Sequence, residues 1–197
     1  MKDSKTILKE LFRKSIHICS SIVPWLLASY YWYTIWGLLI IVTLYYFCEL
    51  ARLEGHPVLL ISLITETASR QRDECKFVLG PVTLVLGIVF AALVLPPDCA
   101  RVGIYALAFG DGLASLGGKI YGRVKLPHTG GKTLEGSLTC FAAVFISTFL
   151  VTKLSIVSLI VAFVATIIEV LPLGDWDNML IPTCAGGAYW LLILYCF

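Results

Sequence analysis

The stretch FVLGPVTLVLGIVFAALVL, residues Phe77–Leu95, decides the fold of this chain. It carries no charged side chain, and it is close to the length of about 20 mostly apolar residues that a helix needs to cross a bilayer. Further mostly apolar stretches occupy much of the sequence: Ile16–Tyr33, Thr34–Leu50, Val102–Leu116, Leu134–Val151, Ser155–Leu171 and Met179–Cys196. We therefore predict an all-α fold, a polytopic transmembrane helix bundle of about seven spanning helices.

The composition of the 197 residues agrees with this prediction. Hydrophobic residues make up 58% and charged residues 14% of the chain, whereas soluble domains contain about 45–50% apolar and about 25% charged residues. The net charge of +2 is small, which argues against a nucleic-acid partner. Seven spans leave no room for a separate soluble domain, so we expect residues 1–197 to form one integral-membrane domain.

The distribution of basic residues predicts the orientation. If the N terminus is cytoplasmic, only Arg101 and Lys153 of the 15 lysines and arginines lie on the opposite side. This asymmetry follows the positive-inside rule. We expect a multi-pass protein with a cytoplasmic N terminus, in the plasma (inner) membrane of a bacterium or in the endoplasmic reticulum of a eukaryote.

Two segments are expected to lie along the membrane surface rather than across it. Residues 1–15 place Leu8, Leu11 and Phe12 on one helical face, which predicts an amphipathic interfacial helix. Val58–Ala68 is apolar but short, and we predict an interfacial or re-entrant helix there.

The first candidate for chemistry is GDGLASLGGK, residues 110–119. Helical spacing places Asp111, Ser115 and Lys119 one turn apart on one face, with Gly110 and Gly118 on the neighbouring stripe. A glycine-rich packing seam is the alternative. We favour a functional site because small residues explain packing but do not require an acid, and a carboxylate in a membrane segment is costly.

The second candidate is the glycine-rich loop between residues 118 and 136. Exposed backbone N–H groups and basic side chains suit a polyphosphate, and a helix that begins near Thr133 also favours an anion. The P-loop motif fails because Leu126 stands where its first glycine belongs. A solvated basic loop that serves only topology is the alternative. The candidate ligands of this loop are Lys119, Arg123, Gly130, Gly131, Lys132 and Thr133.

The third candidate is the turn that holds Asp175, Asp177 and Asn178, after the buried Glu169. Carboxylate and amide oxygens in a short loop suit Mg²⁺, an ion that binds phosphate oxygens at the same time. Acids are also ordinary turn residues, which is the alternative.

Weaker candidates lie in the first half of the chain. The basic residues Arg13, Lys14 and His17 either hold a phosphate or anchor the interface, while Glu49 and Arg52 are spaced as an ordinary ion pair on a helix. We take these five as candidate substrate-binding residues.

The motifs GDGLASLGGKIYG, KTLEGSLTCF and LGDWDNMLIP, together with ELFRKSIH at residues 10–17 and ELAR at residues 49–52, resemble the membrane family of CTP-dependent lipid kinases. That family includes dolichol, phytol and polyprenol kinases and the fungal-type CTP-dependent diacylglycerol kinase. The resemblance implies a single membrane kinase domain that transfers the γ-phosphate of CTP to a lipid alcohol with Mg²⁺.

The resemblance also implies roles for the residues. Asp111 and Asp177, with Asp175 beside them, are expected to be catalytic and to bind Mg²⁺, and Asp111 or Glu135 accepts the hydroxyl proton. The remaining nucleotide-site residues would be Gly110, Ser115, Gly118, Lys119, Arg123, Gly130, Gly131, Lys132, Thr133 and Asn178.

Two other functions stay open at this point. Phosphatidate cytidylyltransferases also use CTP and have a similar loop, but they carry an Asp-Arg-x-Asp arrangement where this chain has Lys132 and Glu135. A small membrane transporter would place its charges near the membrane midplane, whereas here they cluster at one face. The small-residue helix faces leave a homodimer open as well.

Overall fold

The computed structural model describes residues 4–56 and 76–196, and every described element is helical apart from one isolated β-bridge. The predicted surface helix Val58–Ala68 lies outside these residues. The helices are α1 (Ser4–Cys19), α2 (Val23–Leu53), α3 (Gly80–Val94), α4 (Pro97–Tyr105), α5 (Gly112–Tyr121), α6 (Leu134–Thr152), α7 (Ser155–Val170) and α8 (Asp177–Cys196), with a short 3₁₀ turn at Ser20–Ile22 and a π-helical turn at Ala106–Asp111.

The backbone of α2 breaks at Tyr30, where φ is −142° and ψ is 58°. Tyr31 donates its hydroxyl to the carbonyl of Ala92, and Tyr45 donates to the carbonyl of Val78. The part of α2 after the break therefore runs antiparallel to α3, and the chain reverses direction near the predicted boundary between Tyr33 and Thr34.

The predicted fourth span is longer than expected. The structure continues it from α4 through the π-helical turn into α5, so the helical segment extends beyond Val102–Leu116 at both ends. The π-helical turn is also the centre of the core, since Ala106, Leu107 and Ala108 are fully buried. Helices α6, α7 and α8 contribute the other side of this core through Val144, Val161, Ile181 and their neighbours.

Three helical stretches are long and apolar enough to cross a membrane among the residues that the structure describes: Lys9–Leu53, α6 and α8. Helices α3 and α7 are apolar but shorter. The outer surface is rich in large apolar side chains, such as Trp32, Trp36 and Ile41, each more than half exposed. A surface of this kind is expected to face lipid. The total of seven spans stays a prediction.

Helix α1 differs from a simple interfacial helix in the side that it buries. Glu10, Lys14 and His17 are buried against the bundle, whereas Leu11 is half exposed. The charged stripe faces inward because it meets an acidic partner on the π-helical turn, as the site geometry shows.

Glycines allow the closest helix contacts, and Gly103 offers a test. A Cβ atom at this position would lie 2.0 Å from the carbonyl oxygen of Pro182, so α4 and α8 would have to separate. We expect Gly103→Ala to lower the free energy of unfolding by about 1–3 kcal/mol, measured by thermal denaturation in detergent. Gly37→Ala is the matched control because nothing lies within 4 Å of that Cβ position. Equal stability of the two variants would contradict the packing described.

Candidate functional site

One cleft opens where α1, the start of α3, the π-helical turn and the start of α8 meet. Its cavity volume is about 30 Å³, and the cleft is open to the outside. Polar side chains dominate one wall, and the other is mostly apolar. The lining residues are Arg13, Lys14, Ile16, His17, Val78, Gly80, Pro81, Leu84, Asp111, Asp175, Asp177 and Asn178.

Asp111 is the buried acid of this cleft. It is the last residue of the π-helical turn and is 5% exposed. Its Oδ2 accepts a hydrogen bond from Lys14 Nζ at 2.5 Å and lies 3.0 Å from His17 Nδ1. Since breaking a buried ion pair by removing one partner costs about 3–5 kcal/mol, these contacts hold α1 in place as well as shaping the cleft.

The local sequence explains why these groups meet. Lys14 and His17 are three residues apart, so they share one face of α1. Gly112, directly after the acid, lies against Ile18: a Cβ there would be 3.1 Å from the Ile18 side chain. The absence of a side chain at residue 112 lets α1 approach the π-helical turn closely enough for the ion pair to form.

The turn before α8 brings two more acids to the same cleft. Asp177 is buried and Asp175 is half-buried, and both line the cavity that Asp111 lines. Asn178 is fixed by its side-chain amide, which donates to Thr83 Oγ1 at 3.0 Å and to the Gly80 carbonyl at 3.3 Å. Two of the three predicted motifs therefore converge.

The three acids can be tested for fit to Mg²⁺. Within residues 4–56 and 76–196, no group of three or more His, Cys, Asp or Glu side chains is arranged to hold a metal ion by itself. Mg²⁺ is usually bound by one or two carboxylates together with waters and substrate phosphates. The oxygen donors of Asp175 and Asp177 fit an ion that arrives with a nucleotide, but not a preformed metal cage.

The glycine-rich loop lies beside the cleft rather than in its lining. Gly130 and Gly131 have φ of 72° and 95°, and nothing packs against their Cβ positions. Thr133 caps α6 by accepting from the Gly136 N–H at 3.2 Å. Lys132 Nζ lies 3.4 Å from Glu169 Oε1, and Glu169 is on α7, which packs against the π-helical turn that carries Asp111. Lys132 is thus connected through Glu169 to the helices around the cleft.

Glu135 is engaged by the loop itself. Its two carboxylate oxygens each accept from the Val124 N–H at 3.3 Å, and Arg123 is exposed nearby. The structure places Arg123 in the loop and Glu135 in the first turn of α6, and neither is among the residues that line the cleft. Their roles in catalysis and in nucleotide binding stay predictions.

The small residues of the π-helical turn and of α5 serve packing contacts in the structure. A Cβ at Gly110 would lie 2.6 Å from Val144, and one at Gly118 would lie 2.8 Å from the Thr133 hydroxyl. Ser115 is half-buried on the same helix. The packing alternative accounts for the glycines, and their predicted contact with a nucleotide stays a prediction.

Lys119 reaches across to α1. Its Nζ donates to Glu10 Oε2 at 2.6 Å, and the other oxygen of Glu10 accepts from Arg13. Glu10 is buried and joins two cations from different helices. It was absent from the predicted site, although its spacing of four residues from Lys14 could have indicated it.

Glu49 and Arg52 form the expected pair, with hydrogen bonds of 2.8 and 2.9 Å. Glu49 is fully buried and accepts from the Val78 N–H at 2.9 Å, while Arg52 donates to the Lys76 carbonyl at 3.0 Å. The pair thereby fixes the segment that enters α3 and places Val78 at the cleft. A direct role in substrate binding stays a prediction.

Sequence reasoning missed the apolar wall of the cleft, formed by Val78, Pro81 and Leu84. These residues lie in an uninterrupted apolar stretch, and no local signal separates a lining side chain from one that packs in the core.

Comparison with known proteins finds phytol kinases and a diacylglycerol kinase as relatives. Phytol kinase 1 of Arabidopsis thaliana, a chloroplastic protein, is 29% identical over 154 residues, which cover 68% of this chain and 50% of the relative. A probable chloroplastic phytol kinase 1 of Glycine max is 28% identical over 138 residues, 60% of this chain and 45% of the relative. CTP-dependent diacylglycerol kinase 1 of Eremothecium gossypii is 31% identical over 133 residues, 54% of this chain and 42% of the relative.

The matches thus span half the length of these relatives or less. No family model and no solved structure matches the chain. The relatives nevertheless confirm the resemblance that the motifs indicated: the chain is a distant homologue of phytol kinases and of a CTP-dependent diacylglycerol kinase.

Proposed function

We propose that this protein transfers the γ-phosphate of CTP to the hydroxyl group of a membrane lipid, with Mg²⁺ as the cofactor. The observation that carries the proposal is the cleft, in which Asp111, Asp175 and Asp177 share one cavity with Lys14 and His17. Phosphoryl transfer requires positioning and charge neutralisation more than covalent chemistry by the protein, and this cavity supplies acids and cations at one end of an apolar bundle.

The acceptor enters the cleft with its hydroxyl toward Asp111. The apolar wall of Val78, Pro81 and Leu84 suits the carbons next to that hydroxyl, and the rest of the lipid stays in the bilayer. Phytol-like isoprenoid alcohols, polyprenol, dolichol and diacylglycerol are the candidate acceptors, because the named relatives act on phytol and diacylglycerol and the others belong to the same resemblance.

Asp111 is the base that we favour. Lys14 and His17 stabilise its ionised form, and its carboxylate accepts the proton of the lipid hydroxyl. The hydroxyl oxygen forms the new bond to the γ-phosphorus, the bond from that phosphorus to the β-phosphate oxygen breaks, and CDP leaves. Glu135 is the less suitable candidate because it is not among the residues that line the cleft.

Asp175 and Asp177 are the residues that would hold Mg²⁺. When bound, the ion would neutralise phosphate charge during phosphoryl transfer. Lys119 and Lys132 are proposed to contact the nucleotide phosphates, with Arg123 as a further cation at the loop. In these roles, residues of the glycine-rich loop and residues of the cleft would contact the same bound nucleotide.

We further propose that the cleft faces the cytoplasm, because thirteen of the fifteen lysines and arginines lie on that side in the predicted topology. Its membrane is then the plasma (inner) membrane of a bacterium or the endoplasmic reticulum of a eukaryote. A homodimer formed through small-residue helix faces is compatible with this arrangement.

The activity is tested with purified protein, CTP, Mg²⁺ and a panel of lipid alcohols, with ATP in parallel reactions. We expect phosphorylated lipid and CDP in equal amounts, and a higher rate with CTP than with ATP. In parallel reactions with phosphatidate as the acceptor, formation of CDP-lipid and pyrophosphate would instead identify a cytidylyltransferase. Reconstituted protein that moves a solute and produces neither lipid product would identify a transporter.

Asp111→Asn tests the base. We expect kcat to fall by at least about 100-fold, because general base catalysis contributes about 10²–10⁴-fold. The change leaves Lys14 buried without its ionic partner, so the double variant Lys14→Met/Asp111→Asn serves as a second, better-folded inactive protein. Asp98→Asn is the control, since this acid is exposed and pairs with Arg101 at the start of α4. Near-normal turnover of folded Asp111→Asn would contradict the role.

Asp177→Asn tests the metal site. Asp177 lies in the first turn of α8, where asparagine loses only the interaction of a negative charge with the helix N terminus, about 0.3–1 kcal/mol, so α8 is expected to form. We expect the Mg²⁺ concentration for half-maximal rate to rise severalfold, because the variant loses a negatively charged oxygen ligand. The measurement is a Mg²⁺ titration of the rate, with Asp98→Asn as the control. An unchanged titration would remove Asp177 from the metal site.

A further inference from the structure

Glu169 is a buried carboxylate that the proposed reaction does not use. It lies near the end of α7, a helix whose other residues are apolar or small, and it is 6% exposed. A carboxylate in such a place is costly unless it is paired and hydrogen-bonded. Its position therefore calls for a specific partner.

The partners of Glu169 come from the glycine-rich loop and the start of α6. One oxygen lies 3.4 Å from Lys132 Nζ, and the other accepts from the Ser137 hydroxyl at 3.5 Å. Helix α7, which carries Glu169, packs against the π-helical turn that holds Asp111. Glu169 thus connects the loop lysine to the part of the bundle that carries the acid of the cleft.

The loop holds the backbone of Lys132: the Leu126 N–H donates to its carbonyl at 2.9 Å, and Lys125 and Thr133 form a β-bridge beside it. None of these contacts involves the Lys132 side chain. The Lys132 side chain is nevertheless only 23% exposed. The contact with Glu169 is what turns this long side chain inward.

We propose that Glu169 is a positioning residue that holds Lys132 beside the cleft, ready to contact the phosphates of the nucleotide. The ammonium group has three donors, so it keeps its contact with Glu169 and still donates to a phosphate oxygen. This inference rests on the proposed function, in which Lys132 neutralises phosphate charge.

The test compares Glu169→Gln, Lys132→Met and the double variant. Lys132→Met is expected to raise the KM for CTP by about tenfold or more, as the loss of a charge-assisted hydrogen bond does. Glu169→Gln is expected to raise the KM for CTP by at least about threefold and to leave the KM for the lipid unchanged. The double variant should be no worse than Lys132→Met, because residues that act through each other are not additive.

Matched controls separate positioning from general damage. Glu54→Gln removes an exposed carboxylate at the end of α2, and Lys153→Met removes an exposed lysine after α6; neither should change the KM for CTP. If Glu169→Gln does not fold, Glu169→Asp replaces it, since it keeps the charge but is too short for the Lys132 contact. The same rise in the KM for CTP is expected.

Binding of CTP and Mg²⁺ to each variant, measured by calorimetry, gives a readout without turnover. An unchanged CTP affinity in both Glu169 variants, or effects that multiply in the double variant, would overturn the positioning role. CTP binding by the wild-type protein without any lipid product would overturn the proposed reaction and leave the Glu169 comparison valid. Wild-type protein that does not bind CTP would overturn both.

Discussion

The buried ion pair between Lys14 and Asp111 is the interaction on which the rest of the site depends. It connects the first helix of the chain to the π-helical turn at the centre of the bundle, and His17 lies 3.0 Å from the same carboxylate oxygen. In a nonpolar environment neither charge is stable alone. The pair therefore fixes the position of α1, and α1 supplies one wall of the cleft.

A second constraint is the irregular helix that carries the acid. A π-helical turn is uncommon and is frequently found at functional sites, and here it ends at Asp111 in the most deeply buried part of the molecule. The change in helical pitch shifts the residues after Leu107 relative to a regular helix. The neighbouring glycines then allow α1 and α6 to approach that segment.

Much of the fold could be predicted from the apolar stretches. The observed α6 begins at Leu134, as expected, and ends at Thr152, one residue after the predicted end; α7 ends one residue early, at Val170. These boundaries are readable because Thr133 is a good helix cap and Pro172 follows the end of α7. The π-helical turn could not be predicted, because the sequence around Asp111 is equally compatible with a regular α-helix.

Part of the candidate site could also be predicted from the sequence. The acids of the two motifs stood out because carboxylates are rare in apolar segments, and the structure brings Asp111, Asp175 and Asp177 to one cleft. The charged stripe of α1 faces inward, although the apolar stripe that contains Leu11 and Phe12 favoured the opposite orientation. The sequence does not show which of the two faces is buried. Only the position of an acidic partner decides that, and a partner 97 residues away leaves no local signal.

For the proposed reaction, the arrangement offers two substrates of opposite character two different walls of one cleft. The polar wall is built from α1 and the π-helical turn, which the Lys14–Asp111 pair joins, and from the start of α8, which Asn178 ties to α3. The apolar wall comes from the start of α3. Glu49 fixes that apolar wall through the Val78 N–H, so ion pairs position both sides. In the proposed reaction, a lipid hydroxyl and a polyphosphate would meet at the boundary between the walls, because each would approach from the side that matches its own solvent.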